Sequence, residues 1–89
     1  MPTNSDTAEA TIVLPAHLHA RPAGTLARTA ARFQSTIEIT HNNKTANPTG
    51  ILAILALGAT AGTPLTIRAQ GTDAHHAITE LTNLLSTID

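Results

Sequence analysis

The sequence predicts an open-faced α/β (α+β) sandwich, in which three helices cover one face of a four-stranded sheet. In several short segments apolar residues alternate with polar ones, as in half-buried strands. In the segments between them apolar residues recur every three or four positions, as in helices that bury one side. The segments follow one another in the order β-α-β-β-α-β-α, and strands that never group apart from helices favour one sheet with the helices layered on it.

The 89 residues suffice for one small domain, 1–89, whose polar first segment, residues 1–7, we expect to be a loose leader. Ala10, Ile12 and Leu14 then alternate with Glu9, Thr11 and Val13 and predict the first strand, half-buried. Pro22 places the start of the first helix at residues 20–22, because the N–H that proline lacks would have no partner in a first turn. The inward stripe of this helix is predicted to comprise Ala23, Leu26, Ala27, Ala30 and Phe33.

A β-hairpin is predicted after the first helix. Residues 36–40 alternate cleanly as the second strand. Asn42 and Asn43 tolerate positive φ and therefore favour a tight turn, from which residues 44–47 return as the third strand. The neighbouring His41 is most simply a residue of this hairpin.

The remaining elements are a short helix, a strand and a longer helix. Residues 49–56 have the length and composition of a helix, and Gly58 is a suitable stop. Residues 64–70 form the last strand. Thr72 or Asp73 is expected to cap the final helix, whose apolar stripe comprises Ala74, Ala77, Ile78, Leu81, Leu84 and Leu85.

The second helix is apolar around its whole circumference from Ile51 to Leu57. A helix on a small domain normally buries one stripe, so part of this segment should stay exposed. If Ile54 and Leu57 point at the sheet, the outward face consists of Ile51, Leu52 and Leu55. An exposed apolar face of this kind favours a docking surface, and the alternative is that the whole segment belongs to the core.

The segment His17-Leu18-His19-Ala20-Arg21-Pro22-Ala23 has the features of a site that accepts a phosphoryl group, and from the residues alone the alternative is that His19 is a solvated loop histidine. His19 stands where a helix begins, so the unpaired N–H groups of Ala20 and Arg21 and the positive helix pole attract an anion and disfavour an imidazolium. Arg21 adds a permanent charge and a planar donor group that suits phosphate oxygens.

The composition excludes several other classes of protein. A net charge of −1 and a single aromatic residue, Phe33, do not suit a nucleic-acid-binding protein. The absence of cysteine excludes disulfides and thiolate sites, and the chain has neither a phosphate-binding glycine loop nor a carboxylate cluster for direct use of ATP. We expect no cofactor and no metal, because two histidines without a third ligand make a poor metal site. With no signal peptide and no membrane-spanning segment, a cytoplasmic monomer is expected.

Four blocks of the chain resemble the HPr family, the histidine-containing phosphocarriers of the bacterial sugar phosphotransferase system. The blocks are Leu18–Ala23, Asn43–Asn47, Ile51–Gly58 and Ala69–Ala74. The resemblance implies an antiparallel sheet and a phosphohistidine at Nδ1 of His19, with Arg21 steadying the phosphoryl oxygens. It also implies Enzyme I as donor, phosphoenolpyruvate as the ultimate source, and sugar-specific Enzyme IIA domains as acceptors. Such a protein is a covalently modified carrier rather than a self-sufficient enzyme.

The resemblance also implies a contact surface for these partners, in which the short helix is joined by Gly24, Thr25 and Arg28. Gly50 stands where many members carry a regulatory serine, and because glycine has no hydroxyl, regulation at that place is excluded. The adjacent Thr49 would project in a different direction and is a doubtful substitute.

Two questions stay open at the level of sequence. His17 stands where the family usually has glycine, and it could bind a metal weakly, stabilise the phosphorylated form by its charge, or simply be solvated. The function has an alternative as well, namely a regulatory module for carbon or nitrogen control that reports phosphorylation to a transcriptional regulator without major transport flux.

Overall fold

The computed structural model describes residues 6–88, and the elements follow the predicted order. The strands are β1 (Thr7–Val13), β2 (Thr36–His41), β3 (Lys44–Ala46) and β4 (Pro64–Gln70), and the helices are α1 (Ala20–Ala30), α2 (Ile51–Ala56) and α3 (Ala74–Ser86). The sheet has the order β1-β4-β2-β3 and every pairing is antiparallel. The predicted fold class is therefore confirmed.

Strand β4 is central and sets the two faces of the sheet. Ile67 pairs with Ala10 on one side and with Ile39 on the other, and both isoleucines are fully buried on the helical side. One residue further on, Arg68 lies between Glu9 and Glu38 on the exposed side. Because side chains alternate between the two faces of a strand, this register gives one apolar and one polar face.

The three helices cover the apolar face. Most of the predicted stripe of α1 is buried, and Leu81 and Leu85 of α3 have no exposed surface. Helices of six to thirteen residues are marginal alone in water, so they depend on this packing. Each fully buried leucine or isoleucine contributes about 1.5–3 kcal/mol.

The predicted leader, residues 1–7, overlaps the beginning of β1. Residues 1–5 of the predicted leader lie outside the described residues, but Thr7 already pairs with Gln70 as the first residue of β1. Ala8 is half-buried and continues the inward alternation. The expectation that the leader extends to residue 7 is therefore wrong, because a small alanine is a weak apolar marker for the start of a strand.

The hairpin turn has the predicted conformation. Asn42 and Asn43 adopt φ of 49° and 65°, which asparagine tolerates better than most residues. The ring of His41, just before the turn, is 6 % exposed, and its Nδ1 lies 3.1 Å from the carbonyl oxygen of Leu57. His41 thus belongs to the hairpin as predicted, but it is a core residue that ties the end of β2 to the end of α2.

Asp73 occupies the N-cap position of α3, yet its side chain does not cap the helix. The carboxylate instead accepts the backbone N–H groups of Gln34 and Ser35, both at 2.9 Å, and the Ser35 hydroxyl. These bonds, that of the Ser35 hydroxyl first, lower the pKa of Asp73 from its ordinary value of 3.8. The expected capping bond is therefore wrong, because a loop distant in sequence offers the carboxylate better donors.

We expect Asp73→Asn to lower the urea midpoint of unfolding at pH 7. Because the pKa of Asp73 is lowered in the folded state, the ionised carboxylate stabilises the fold above the unfolded pKa, and this contribution is lost as the pH falls through the folded pKa. The variant should therefore lose less stability than wild type between about pH 5 and pH 2. Glu9→Gln is the control, since Glu9 is exposed and accepts no side-chain hydrogen bond within residues 6–88. Equal acid sensitivity in Asp73→Asn and wild type would contradict the prediction.

Candidate functional site

His19 is the N-cap residue of α1. Its backbone is extended, with φ of −89° and ψ of −169°, and its side chain is exposed and makes no capping hydrogen bond. Within residues 6–88 neither ring nitrogen of His19 has a hydrogen-bond partner. The exposed imidazole therefore stands at the helix entrance with neither nitrogen engaged by residues 6–88.

The first turn of α1 leaves two backbone donors beside this imidazole. The N–H of Ala23 donates to the carbonyl oxygen of His19 at 2.9 Å, and Pro22 has no N–H. The N–H groups of Ala20 and Arg21 have no backbone acceptor in the described part of the chain. Together with the helix pole and the exposed guanidinium of Arg21, they form a place that favours an anion.

An open cavity of about 480 Å³ adjoins His19. It lies between the start of α1 and the end of α3 and is lined by His19, Arg21, Pro22, Thr25, Leu84, Thr87 and Ile88. Sequence reasoning missed the contribution of α3, because nothing in the local pattern shows that its last turn reaches the first helix. The predicted position of Leu84 in the apolar stripe was the available signal that this turn packs against the domain.

The loop that carries His19 is fastened to the segment before β4. The N–H of Leu14 donates to the carbonyl oxygen of Thr63 at 3.0 Å, and the N–H of Gly62 donates to the carbonyl oxygen of Leu14 at 2.8 Å. The N–H of Leu18 donates to the carbonyl oxygen of Ala59 at 3.1 Å. The side chain of Leu18 is 4 % exposed. The residue before His19 is thus anchored by both its backbone and its side chain.

His17 is exposed, and it also takes part in this attachment. Its Nδ1 accepts the backbone N–H of Ala61 at 3.0 Å. The interpretation that His17 is simply solvated is therefore incomplete, since one ring nitrogen has a specific partner.

Helix α2 presents the predicted apolar face, with one difference. Ile54 and Leu57 point into the core with 0 % and 6 % exposure, whereas Ile51 and Leu52 are 43 % and 82 % exposed. The alternative that the whole segment is core is therefore wrong. Leu55, expected on the outer face, is half-buried against the core, so its expected position is wrong; a helix that is apolar on every side does not mark which residues face inward.

Arg28 extends this face onto α1. Its Nη2 donates to Thr25 Oγ1 at 3.4 Å, and that hydroxyl donates to the carbonyl oxygen of Arg21 at 3.2 Å. A Cβ placed on Gly24 would lie 3.5 Å from Nη1 of Arg28 and 4.0 Å from Cδ1 of Ile51. Gly24 is buried, so it adds no exposed surface to the predicted contact face, and a Cβ at this position would make only ordinary contacts.

Gly50 is the N-cap residue of α2, so the helix begins two residues after the predicted start at Thr49. The φ of −108° and ψ of 116° suit any residue, and an added Cβ would make ordinary contacts of 3.8 Å with Ala53 and with Asn47. The glycine is therefore not required by the backbone. The Thr49 hydroxyl donates to Asn47 Oδ1 at 2.8 Å and is occupied in this turn.

Residues 6–88 contain neither a metal-binding group nor a membrane-spanning helix. No group of three or more histidine, cysteine, aspartate or glutamate side chains is placed there to hold a metal ion. Among the same residues, no helix has the length and apolar character needed to cross a membrane.

Comparisons with known proteins agree on one family. The family described as "PTS HPr component phosphorylation site" matches residues 7–87. The phosphocarrier protein HPr of Mycoplasma capricolum is 46 % identical over 61 residues, which cover 68 % of each chain. The crystal structure of HPr-C-His from Thermoanaerobacter tengcongensis aligns with a TM-score of 0.81 and 36 % identity, covering 88 % of this chain and 90 % of that one. The crystal structure of HPr from Bacillus anthracis aligns with a TM-score of 0.85 and 30 % identity, covering 92 % and 99 %.

The two sides of α2 should respond differently to truncation. We expect Ile54→Ala to lower the free energy of unfolding by about 2–5 kcal/mol, because it leaves a cavity in the core. Leu52→Ala should change it by less than about 0.5 kcal/mol, because that side chain is exposed. Urea unfolding followed by circular dichroism measures both, and comparable losses would mean that Leu52 packs against the core.

Proposed function

The chain belongs to the HPr family, the phosphocarriers of the phosphotransferase system, and from this membership we propose that His19 is the residue that carries the phosphoryl group. The observation that supports this most directly is the position of its imidazole. It is exposed, free of hydrogen bonds within residues 6–88, and located where α1 directs its unpaired N–H groups outward. None of the other described histidines stands at a helix entrance with an arginine two residues later.

The chemistry needs few groups from this chain. The lone pair of Nδ1, the nitrogen favoured in this family, attacks the phosphorus, the bond from phosphorus to the donor atom breaks, and the donor atom keeps the electron pair. The hydrogen on Nε2 stays there or leaves to water. Since positioning and charge stabilisation dominate phosphoryl transfer, this chain supplies donors to the phosphoryl oxygens and no general base. The donors would be Arg21 and the N–H groups of Ala20 and Arg21.

The interactions that stabilise the bound phosphoryl group must be moderate in free energy, because a carrier has to release the group. Interactions of an anion with a helix N-terminus contribute about 0.3–1 kcal/mol when exposed and about 2 kcal/mol when partly buried. Arg21 is exposed and has no carboxylate partner within residues 6–88, so it is free to follow the phosphoryl group. This set of contacts suits transfer better than storage.

We further propose that phosphorylated Enzyme I is the donor and that Enzyme IIA domains are the acceptors. They would contact the exposed side of α2, Ile51 and Leu52, together with Thr25 and Arg28. An aliphatic surface suits several partners, since it tolerates differently shaped surfaces better than a fixed array of hydrogen bonds. Because Gly50 lacks a hydroxyl and that of Thr49 bonds to Asn47, we propose that the chain is not regulated by phosphorylation at the start of α2.

The first test is the intact mass of the protein at neutral pH after incubation with phosphoenolpyruvate and Enzyme I. We expect one added phosphoryl group in wild type and in His17→Ala, and none in His19→Ala, because only His19 lies at the helix entrance. Acid must be avoided, since phosphohistidine hydrolyses in it.

A second HPr that accepts the group from the same Enzyme I is the control for that experiment. If it is phosphorylated and this chain is not, the proposal is wrong. If this chain accepts the group but no Enzyme IIA domain removes it, the regulatory module for carbon or nitrogen control is favoured instead.

Docking on α2 is tested by Leu52→Glu. The charge would enter an apolar contact, so we expect the KM of Enzyme I for this protein to rise about tenfold or more without loss of fold. Val13→Glu is the matched control, because Val13 is an aliphatic residue of 65 % exposure at the end of β1, outside the α2 surface. An equal rise in KM for both variants would mean that α2 is not part of the docking surface.

A further inference from the structure

A tight turn precedes β4 and faces the loop of His19. It comprises Thr60, Ala61, Gly62 and Thr63, and it is closed by the N–H of Thr63 donating to the carbonyl oxygen of Thr60 at 3.2 Å. Gly62, in third position, has φ of 82°, as a type II turn requires. The Thr63 hydroxyl also donates to the Thr60 carbonyl. The turn is therefore held in one conformation by its own bonds.

The N–H of the second residue of such a turn has no partner inside the turn, because only the fourth N–H closes it. Here that residue is Ala61, and its N–H donates to Nδ1 of His17 at 3.0 Å. The side chain of His17 thus supplies the acceptor that the turn lacks. The bond joins two segments 44 residues apart in the chain.

This bond selects the tautomer of the neutral His17 ring. A nitrogen that accepts an N–H must carry a lone pair, so the hydrogen of the neutral ring lies on Nε2. Neither nitrogen then offers a free lone pair to phosphorus. His19, two residues away, has no such constraint within residues 6–88.

The bond also acts on the loop that presents His19. The backbone of Leu18 is tied to Ala59, just before the same turn, and the His17 ring is tied to Ala61 within it. The chain is consequently held at two successive residues immediately before His19, and α1 holds it immediately after.

We propose that His17 is a positioning residue, which accepts the Ala61 N–H through Nδ1, thereby restrains the His19 loop and keeps its own ring from accepting the phosphoryl group. This inference rests on the proposed function of His19. The other interpretations of His17 fit less well: an imidazolium has no lone pair for Ala61, and residues 6–88 bring no third ligand to a metal.

Two variants of His17 separate the effect of the hydrogen bond to Ala61 from the effect of the imidazole ring. Asparagine carries an acceptor oxygen on Cγ, where histidine carries Nδ1, so His17→Asn keeps the acceptor, whereas His17→Ala removes it. His75→Ala is the matched control, since His75 is an exposed histidine of α3 whose side chain has no hydrogen bond within residues 6–88. Circular dichroism confirms that each variant is folded.

Nuclear magnetic resonance of the unphosphorylated protein tests the bond itself. We expect the ¹⁵N shifts of the wild-type His17 ring to show the hydrogen on Nε2 at neutral pH. Exchange of the Ala61 amide should be about two- to tenfold faster in His17→Ala, as for loss of one ordinary hydrogen bond, and close to wild type in His17→Asn. A hydrogen on Nδ1 of His17, or unchanged exchange of Ala61 in His17→Ala, would overturn the proposal without any assay of transfer.

Steady-state phosphorylation by Enzyme I tests the consequence. His17→Ala should lose about two- to tenfold in kcat with little change in KM, because the reactive pose of His19 becomes less populated while the docking surface stays intact. His17→Asn should recover most of the loss and His75→Ala should match wild type. A change in KM alone, or a kcat of His17→Ala equal to wild type, would overturn the positioning role while leaving the function of His19 in place.

Failure of wild type to accept the phosphoryl group would instead overturn the function of His19, and the positioning role with it. These two failures are therefore distinguishable.

Discussion

The apolar face of β4 is the constraint on which the rest of the structure depends. Leu65, Ile67 and Ala69 have no exposed surface, and the strand that carries them pairs with β1 and β2. Because β1 is antiparallel to β4, Val13 at its end lies opposite Pro64 at the beginning of β4. The loop that leaves β1 and the turn that enters β4 therefore meet at the same edge of the sheet, and His19 is presented from that meeting point.

Most of the fold was predictable because its signals are local. Alternation marks the strands, Pro22 marks the start of α1, and Asn42 with Asn43 marks the hairpin turn, each within a few residues of the feature that it predicts. The miss at Asp73 depends on a contact between distant segments. Asp73 has the composition of a helix cap, and only the folded chain brings the backbone of residues 34–35 to its carboxylate.

The residues of the candidate site also fall into those that the local sequence predicts and those that it does not. His19, Arg21, Ile51 and Leu52 were named from motif and spacing; His19 and Arg21 lie at the start of α1, and Ile51 and Leu52 are exposed on α2. The lining of the cavity by Leu84 and Ile88 and the bond of His17 to Ala61 do not follow, because they join segments that are far apart in the chain. Leu55 was placed on the outer face wrongly because α2 is apolar on every side, so its sequence does not mark which residues face the core.

The openness of the site has a kinetic consequence. No part of residues 6–88 covers His19, and its cavity is large compared with a phosphoryl group. If His19 carries the phosphoryl group as proposed, residues 6–88 do not shield its phosphorus atom from water. On that proposal, delivery of the phosphoryl group is a competition between hydrolysis of the phosphohistidine and its encounter with an acceptor.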